Sequence, residues 1–239
     1  MKHYGIIGSP LGHSYSEQLF TEKFNKENID ASFEPIELQE AKLPHIRESL
    51  HLDGFTVTIP FKELIMKYLD AIDPIAAEIG AVNVVHCEGS FWKGYNTDWI
   101  GFRDSIQPLL KETDKKALIF GTGGAAKAVN YALKQLNIQP TMVSRSQGLT
   151  YDQLTPEIIG EHTILVNATP LGTAGQYPGQ AVNIPYNALT PNHMLFDCVY
   201  NPPEPEFLRL GRQMGVERLL NGYPMLVNQA RAAWGIWSK

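Results

Sequence analysis

The chain has 239 residues, of which 44% are hydrophobic and 19% charged, and its formal net charge at pH 7 is −5. That length allows one large or two small domains with a substantial core, and the acidic balance argues against a nucleic-acid-binding surface. No apolar run is long enough to cross a bilayer. The two cysteines, Cys87 and Cys198, lack the spacing of a metal site. We therefore expect a cytoplasmic α/β protein that binds no metal, nucleic acid or membrane.

The first predicted strand, residues 4–7, leads through a polar, glycine-rich loop to a helix predicted over residues 17–26. Ser14 and Glu17 fit a capping box, in which the serine only closes the helix. Ser14 and Ser16 together are paired hydroxyls at a helix N-terminus, which suit a carboxylate ligand. The residues alone favour neither interpretation.

A strand near residues 33–36 and a helix over residues 43–50 precede a strand on which Thr58 presents its hydroxyl. Lys62 then falls in the first turn of a helix predicted over residues 63–69, where the helix dipole disfavours a cation. Most surface lysines are simply solvated. A lysine held at the carboxyl end of a strand is, however, a candidate acid/base group.

Residues 80–85 predict a strand that carries one amide, Asn83, and a hairpin through residues 88–90 follows it. Thr97 or Asp98 is the expected N-cap of the next helix. An aspartate at a helix start is ionised and is also well placed to hold a lysine. Asp98 is therefore a candidate partner for a catalytic lysine.

A glycine-rich turn lies between an apolar strand, residues 117–120, and a segment of helical periodicity. Gly121, Gly123 and Ala126 match the dinucleotide-binding pattern, in which the glycines allow a tight turn and a close approach of pyrophosphate to the helix N-terminus. The alternative is a tight turn with no ligand. The strand and helix on either side favour nucleotide binding.

The end of the next strand, residues 140–143, favours NADP over NAD. An NAD site uses an acidic residue about 20 residues after the turn to bind the ribose. Here Ser144, Arg145 and Ser146 follow the strand, and no acidic residue precedes Asp152. An arginine between two hydroxyls suits a 2′-phosphate, whereas the alternative is an ordinary solvated arginine.

Two later strands, residues 163–166 and 194–199, also end in polar clusters, where open parallel sheets bind ligands. The last predicted helix, residues 225–237, carries Gln229 among apolar residues, so its amide either bonds within the core or contacts substrate. The pattern changes near Gly101. We therefore predict two domains with a ligand-binding cleft between them: residues 1–100 with 221–239, and residues 101–220.

Together these loops resemble those of the shikimate dehydrogenase family, whose members reduce 3-dehydroshikimate to shikimate with NADPH. The resemblance covers nearly the whole chain and depends on the joint order of several segments: residues 8–16, 56–62, 80–83, 94–98, 121–126, 167–169, 197–202 and 222–230. It implies an α/β fold in which an N-terminal substrate domain is completed by the C-terminal helix. The other domain would be a Rossmann-type, doubly wound parallel-sheet NADP-binding domain.

The resemblance also assigns site residues. Lys62 and Asp98 would be the catalytic pair that exchanges a proton with the substrate oxygen while hydride passes to or from nicotinamide. The substrate-binding residues would be Ser14, Ser16, Thr58, Asn83, Tyr200 and Gln229. The cofactor-binding residues would be Gly121, Gly123, Gly124, Ala125, Ala126, Ser144, Arg145, Ser146, Asn167, Thr169, Val199 and Gly222. No metal is implied.

Several positions depart from the family pattern. Thr56 stands where asparagine is usual, Val84 where threonine is usual, and Pro224 where a glycine is usual. After Ser16 the first helix lacks the usual proline, histidine and asparagine. Arg145 has no second basic residue soon after it, which leaves a single arginine for the 2′-phosphate and weakens the preference for NADP, although NAD is still the less favoured cofactor.

Two other functions stay open. A quinate or quinate/shikimate dehydrogenase using NAD or NADP would share this scaffold and differ in a few pocket side chains. A non-catalytic dinucleotide-binding sensor would keep the glycine turn, but the presence of both Lys62 and Asp98 favours an enzyme. We expect a monomer or homodimer that acts on a small molecule in aromatic amino acid biosynthesis.

Overall fold

The computed structural model of the chain describes residues 1–11 and 15–239. These residues separate into two compact units, one formed by Met1–Gly101 with Leu226–Lys239 and the other by Phe102–Met225. Ser14, a predicted substrate ligand, lies outside the described residues. None of the helices within those ranges is both long and apolar enough to cross a membrane.

The described residues of the first unit form a six-stranded mixed sheet with the order β2-β1-β3-β5-β6-β4. Its elements are β1 (Lys2–Gly8), α1 (Tyr15–Glu27), β2 (Ala31–Glu37), α2 (Ile46–Ser49), β3 (Gly54–Val57), α3 (Phe61–Leu64), β4 (Ala71–Ile72), α4 (Pro74–Ile79), β5 (Val84–Glu88), β6 (Phe91–Tyr95) and the start of α5 (Asp98–Ile106). β1 pairs in parallel with β2 and β3, whereas β5 runs antiparallel to β3 and β6. The carboxyl ends of β1, β3 and β6 and the start of β5 therefore meet at one sheet edge.

Some predicted elements of this unit are shorter than expected. The helix predicted over residues 43–50 is a 3₁₀ segment, Glu40–His45, followed by the single turn of α2, because Pro44 lies inside it and has no N–H to donate. The strand predicted from Gly80 begins only at Val84, since Gly80 closes α4 in a left-handed conformation. Asn83 therefore lies in the loop just before β5.

The C-terminal helix completes the core of the first unit. Trp237 stacks on Tyr4 with ring centroids 4.8 Å apart, and its indole N–H donates to the Val85 carbonyl at 2.9 Å. Phe20 and Phe33 stack in the same cluster. These aromatic side chains come from distant parts of the sequence, and the apolar area they bury ties the last residues of the chain to its first strand.

The second unit is a parallel α/β sheet with the order β12-β11-β10-β7-β8-β9 among its described strands. Its elements are β7 (Lys116–Phe120), α6 (Gly124–Gln135), β8 (Gln139–Ser144), β9 (Leu149–Thr150), α7 (Pro156–Glu161), β10 (Ile164–Asn167), β11 (Met194–Asp197), α8 (Glu206–Gln213), β12 (Arg218–Leu220) and the start of α9 (Tyr223–Trp237). All the observed strand pairs are parallel. Counted from β7, this is the 3-2-1-4-5-6 order of the Rossmann fold.

The central strands of this sheet are apolar and almost entirely buried, as expected for strands covered on both faces. The chain reverses its direction of winding between β7 and β10. In such sheets, ligands bind outside the carboxyl ends of the strands at this switch point. The glycine turn after β7 and the polar loops after β10 and β11 lie at that edge.

Candidate active site

A lysine and an aspartate form a close ion pair at the sheet edge of the first unit. Lys62 Nζ lies 2.6 Å from Asp98 Oδ2, and the two side chains are only 15% and 7% exposed. Lys62 is held from α3, shortly after β3, and its carbonyl accepts from the Val82 N–H. The pair is therefore shielded from solvent and positioned by two segments of one sheet edge.

Asn83 lies at the centre of the polar network around this pair. Its Nδ2 donates to Asp98 Oδ1 at 2.8 Å and to the Thr97 hydroxyl at 3.0 Å, and its Oδ1 accepts from the Thr97 N–H at 2.6 Å. Each oxygen of the Asp98 carboxylate thus has its own partner, because Oδ2 is taken by Lys62. This arrangement fixes the rotamer of Asp98.

Asn96 bonds to the start of the next helix. Its Oδ1 accepts from the N–H groups of Asp98 and Trp99 at 3.0 and 3.4 Å. The Asn96 amide group is anchored in turn on the Ala81 carbonyl. The Asp98 carboxylate is therefore free for the lysine while it lies at the positive end of the helix dipole.

Gln229 reaches the same network from α9. It is buried, its Oε1 accepts weakly from Asn83 Nδ2 at 3.4 Å, and its Nε2 donates to the Leu226 carbonyl. Thr58 follows β3 at the same edge and is half-buried, whereas Ser16 is a buried residue in the first turn of α1. Gln229 thus joins the network of Lys62, Asn83 and Asp98 through Asn83. Tyr200 belongs to the second unit.

The glycine turn of the second unit leaves a helix N-terminus open. Gly121 has a φ of 112°, which only glycine adopts readily, and an added methyl would press on the Ala168 carbonyl. Within the described part of the chain, α6 begins without a side-chain cap, and a methyl on Gly123 would meet no atom within 4 Å. The space beside Gly123 is therefore open, and no side-chain cap occupies the N-terminus of α6, as a pyrophosphate site requires.

The loop after β8 presents Arg145. Ser144 Oγ accepts from the N–H groups of Ser146 and Gln147 and donates to the Gln147 carbonyl, so this hydroxyl shapes the loop. Arg145 and Ser146 are exposed at its tip. Of the predicted 2′-phosphate ligands, Arg145 is thus the one with a charged group directed to solvent.

The loops after β10 and β11 are joined by buried hydrogen bonds. Asn167 is fully buried: its Oδ1 accepts from the Thr169 N–H and hydroxyl, and its Nδ2 donates to Asp197 Oδ1. Val199 donates its N–H to the same Asp197 oxygen and accepts from the Gly222 N–H. Asn167 therefore organises its loop from within.

Three residues in these networks are absent from the predicted site: Asn96, Thr97 and Asp197. Asn96 and Thr97 adjoin a predicted catalytic residue, and this position was a signal. Helix capping explained this segment in the sequence analysis instead. Asp197 is the last residue of an apolar strand, and a carboxyl in such a position is rarely buried without a partner. That pattern was the available signal.

Comparison with known proteins gives consistent matches. The family model described as the shikimate dehydrogenase substrate binding domain matches residues 6–85. A shikimate dehydrogenase (NADP(+)) of Halothermothrix orenii is 34% identical over 98% of this chain and 90% of its own length. The crystal structure of shikimate dehydrogenase from Aquifex aeolicus is 31% identical, with a TM-score of 0.89 over 99% of this chain and 92% of that chain.

A further solved structure, the Thermus thermophilus shikimate 5-dehydrogenase in complex with NADP(H) and shikimate, is 26% identical with a TM-score of 0.86. It aligns with 100% of this chain and 94% of that chain. The fold and these likenesses define an α/β oxidoreductase with a Rossmann-type unit. The chain belongs to the shikimate dehydrogenase family. The predicted family and fold class are confirmed.

Proposed function

We propose that this chain catalyses the reversible, NADP-dependent reduction of 3-dehydroshikimate to shikimate, with Lys62 and Asp98 as its acid/base pair. Family membership supports the reaction. The observation that carries the catalytic assignment is the shielded contact of 2.6 Å between Lys62 Nζ and Asp98 Oδ2. The proposed reaction would serve aromatic amino acid biosynthesis.

The pair supplies a proton at a defined place. Reduction of the ketone requires a proton on the oxygen, and oxidation of the alcohol requires its removal. The Lys62 ammonium donates that proton or the amine accepts it, while Asp98 holds Nζ in place. Because Asn83 binds the other carboxylate oxygen, Asp98 keeps its orientation when the lysine changes charge.

The substrate hydroxyls and carboxylate need polar partners around this pair. We assign Thr58, Asn83, Asp98 and Gln229 to the ring hydroxyls, and Ser14, Ser16 and Tyr200 to the carboxylate. The cluster of Asn83, Asp98 and Gln229 supports the first assignment. A site that has these donors and acceptors discriminates against analogues that lack a matching hydroxyl.

The second unit fits NADP, which supplies or accepts the hydride when bound. Gly121, Gly123, Gly124, Ala125 and Ala126 would hold the pyrophosphate at the N-terminus of α6. Arg145, with Ser144 and Ser146, would bind the 2′-phosphate. Thr169, Val199 and Gly222 would lie on the nicotinamide side, and Asn167 would act by ordering their loop.

We also propose a cytoplasmic location, in keeping with two free cysteines, Cys87 and Cys198. The chain would act as a monomer or a homodimer, which light scattering of the purified protein distinguishes. No group of three or more histidine, cysteine or acidic residues suited to a metal occurs in residues 1–11 and 15–239.

The test follows absorbance of reduced nicotinamide when purified protein meets shikimate or quinate, each with NADP or NAD. We expect fast turnover with shikimate and NADP and little with the other pairs. Equal turnover with quinate or NAD would show a quinate/shikimate dehydrogenase of broader specificity. Binding of NADP with no turnover of any pair would overturn the enzymatic proposal in favour of a sensor.

A further inference from the structure

A buried carboxyl lies beside the proposed nicotinamide loops and has no role in the proton transfer above. Asp197 ends β11 and is fully buried. Its Oδ1 accepts from Asn167 Nδ2 and from the Val199 N–H, both at 2.9 Å. Its Oδ2 is also buried and has no hydrogen-bond partner among the described residues.

Such a group is costly if its only task is to fill the core. No cationic side chain of the described ranges is bonded to the carboxyl, and burial raises its pKa to about 7. An apolar side chain in this position would avoid the desolvation of a carboxyl. The two hydrogen bonds to Oδ1 therefore indicate that Asp197 serves to hold the groups that donate them.

The groups that Asp197 holds are the two loops at the switch-point edge. On one side, the Asn167 side chain fixes Thr169 through its N–H at 3.0 Å and its hydroxyl at 2.6 Å. On the other, Val199 accepts from the Gly222 N–H at 3.1 Å. A methyl group on Gly222 would collide with the Cys198 carbonyl, so the two backbone segments are in close contact and only glycine fits there.

We propose that Asp197 is a positioning residue of the dinucleotide site, which sets the loops after β10 and β11 in the arrangement that binds the nicotinamide half of NADP. This inference rests on the proposed function. Asp197 touches neither cofactor nor substrate and acts through Asn167 and Val199. Its loss should weaken NADP binding more than shikimate binding, because Tyr200 is the one proposed shikimate ligand in these loops.

The same unit offers a matched control. Asp114 is also a buried carboxylate, but it precedes β7 and pairs with Arg218 and Thr163 at the amino ends of the strands. Substitution of Asp114 removes buried polar contacts of the unit without touching the switch-point loops. It therefore reports what general destabilisation alone does to cofactor binding.

The experiment measures the Kd of NADP by isothermal titration calorimetry on full-length wild type, Asp197→Ala, Asp197→Asn and Asp114→Asn, with the KM for shikimate alongside. Asp197→Ala should raise the NADP Kd about tenfold, the equivalent of one hydrogen bond to a carboxyl, with a smaller rise in the KM for shikimate, which depends on these loops through Tyr200 alone. Asp197→Asn should bind within about threefold of wild type, since its carbonyl oxygen can accept from the same two donors. Asp114→Asn should lower Tm but keep the wild-type Kd.

An NADP Kd for Asp197→Ala that equals that of Asp114→Asn would overturn this inference and leave the proposed function standing. Wild-type protein that binds no NADP would overturn the proposed function and this inference together. If Asp197→Ala does not fold, Asp197→Ser replaces it, because the shorter serine side chain cannot reach both donors. A wild-type Kd for the folded serine variant would then refute the positioning role.

Discussion

Asp98 divides its carboxylate between two partners, with Lys62 on one oxygen and Asn83 on the other. At the scale of single residues, this division explains how one short helix start serves both structure and chemistry. Asn96 supports the same helix start, since its Oδ1 accepts from the N–H groups of Asp98 and Trp99. The charged pair and the amide that orients it form one unit, so their effects on activity should not be additive.

Arg145 is the residue on which the choice of cofactor depends. Arg145→Ala should raise the KM for NADP by about 10–100-fold, because an arginine–phosphate contact is a charge-assisted hydrogen bond and each 1.4 kcal/mol is about tenfold. The KM for NAD should change little, since NAD has no 2′-phosphate. Initial rates with both cofactors measure this, and Arg212→Ala, on an exposed part of the same unit, is the control. An equal loss with NAD would show that Arg145 does not read that phosphate.

Asp197 should make stability depend on pH in an unusual direction. Its pKa is raised from 3.8 to about 7, so between these values the folded protein keeps a proton that the unfolded chain has lost. Its contribution to stability is therefore greatest at low pH and is lost as pH rises through about 7. Tyr186, its titratable neighbour, has a raised pKa because it is buried, and it stays neutral over this range.

The free energy of unfolding of Asp197→Asn, relative to wild type, should thus rise between about pH 4 and pH 8, by at most about 4 kcal/mol. Urea unfolding at several pH values measures it. Burial alone would raise the pKa of Asp114, but hydrogen bonds from Arg218 and the Lys111 N–H outweigh burial and lower it. The cost of Asp114→Asn should therefore shrink as pH falls below the ordinary aspartate range. A pH-independent difference for Asp197→Asn would contradict the raised pKa.

At the scale of elements, local sequence was enough wherever neighbours along the chain decide the structure. The turn from Gly121 to Ala126 follows from its glycines and the apolar strand before it, and its geometry matches the prediction. The helix predicted over residues 43–50 failed because Pro44 outweighs the apolar spacing. The contacts of Asn96 at the start of α5 were not predicted, because asparagine, threonine and aspartate in succession are all good caps, and the bonds of this segment to the distant Ala81 carbonyl and Asn83 cannot be read from local sequence.

A substitution at the start of α5 should lower both the stability of the protein and its kcat. Asn96→Ala removes the acceptor for the N–H groups of Asp98 and Trp99, which should cost about 1–2 kcal/mol of stability. It should also lower kcat, because the Asp98 backbone loses its anchor. Thr155→Ala, which uncaps α7 in the other unit, is the control and should lose stability alone. Urea unfolding and initial rates test both, and an unchanged kcat in Asn96→Ala would show that the cap has no part in positioning Asp98.

At the scale of the whole molecule, the discontinuous first unit has a simple physical cause. The last turns of α9 carry Trp237 onto Tyr4, Phe20 and Phe33, so the end of the chain buries its apolar face in the core of its beginning. The boundary between the units accordingly falls inside α9, after Met225, and not ahead of the helix. The resemblance implied that the C-terminal helix returns to the first unit, whereas composition and periodicity did not. The sequence of residues 226–239 alone does not show which part of the chain the helix packs against.

The networks that join distant residues could not be predicted from sequence patterns. Asn83 and Gln229 meet across 146 positions, and Asn167 and Asp197 across 30. Each residue taken alone is a polar side chain at or near the end of an element. Only the strand order, which is a property of the complete sheet, places Asp197 between two ligand loops.

The proposed mechanism depends most on Lys62 as the acid/base group. The decisive measurement is the kcat of Lys62→Ala with shikimate and NADP, taken with its NADP Kd and compared with Lys67→Ala, an exposed lysine of the same segment. We predict a kcat lower by about 10²–10⁴-fold with an unchanged NADP Kd, and no effect in the Lys67 variant. Full turnover in Lys62→Ala, or a loss that appears only as weaker NADP binding, would contradict the proposed mechanism.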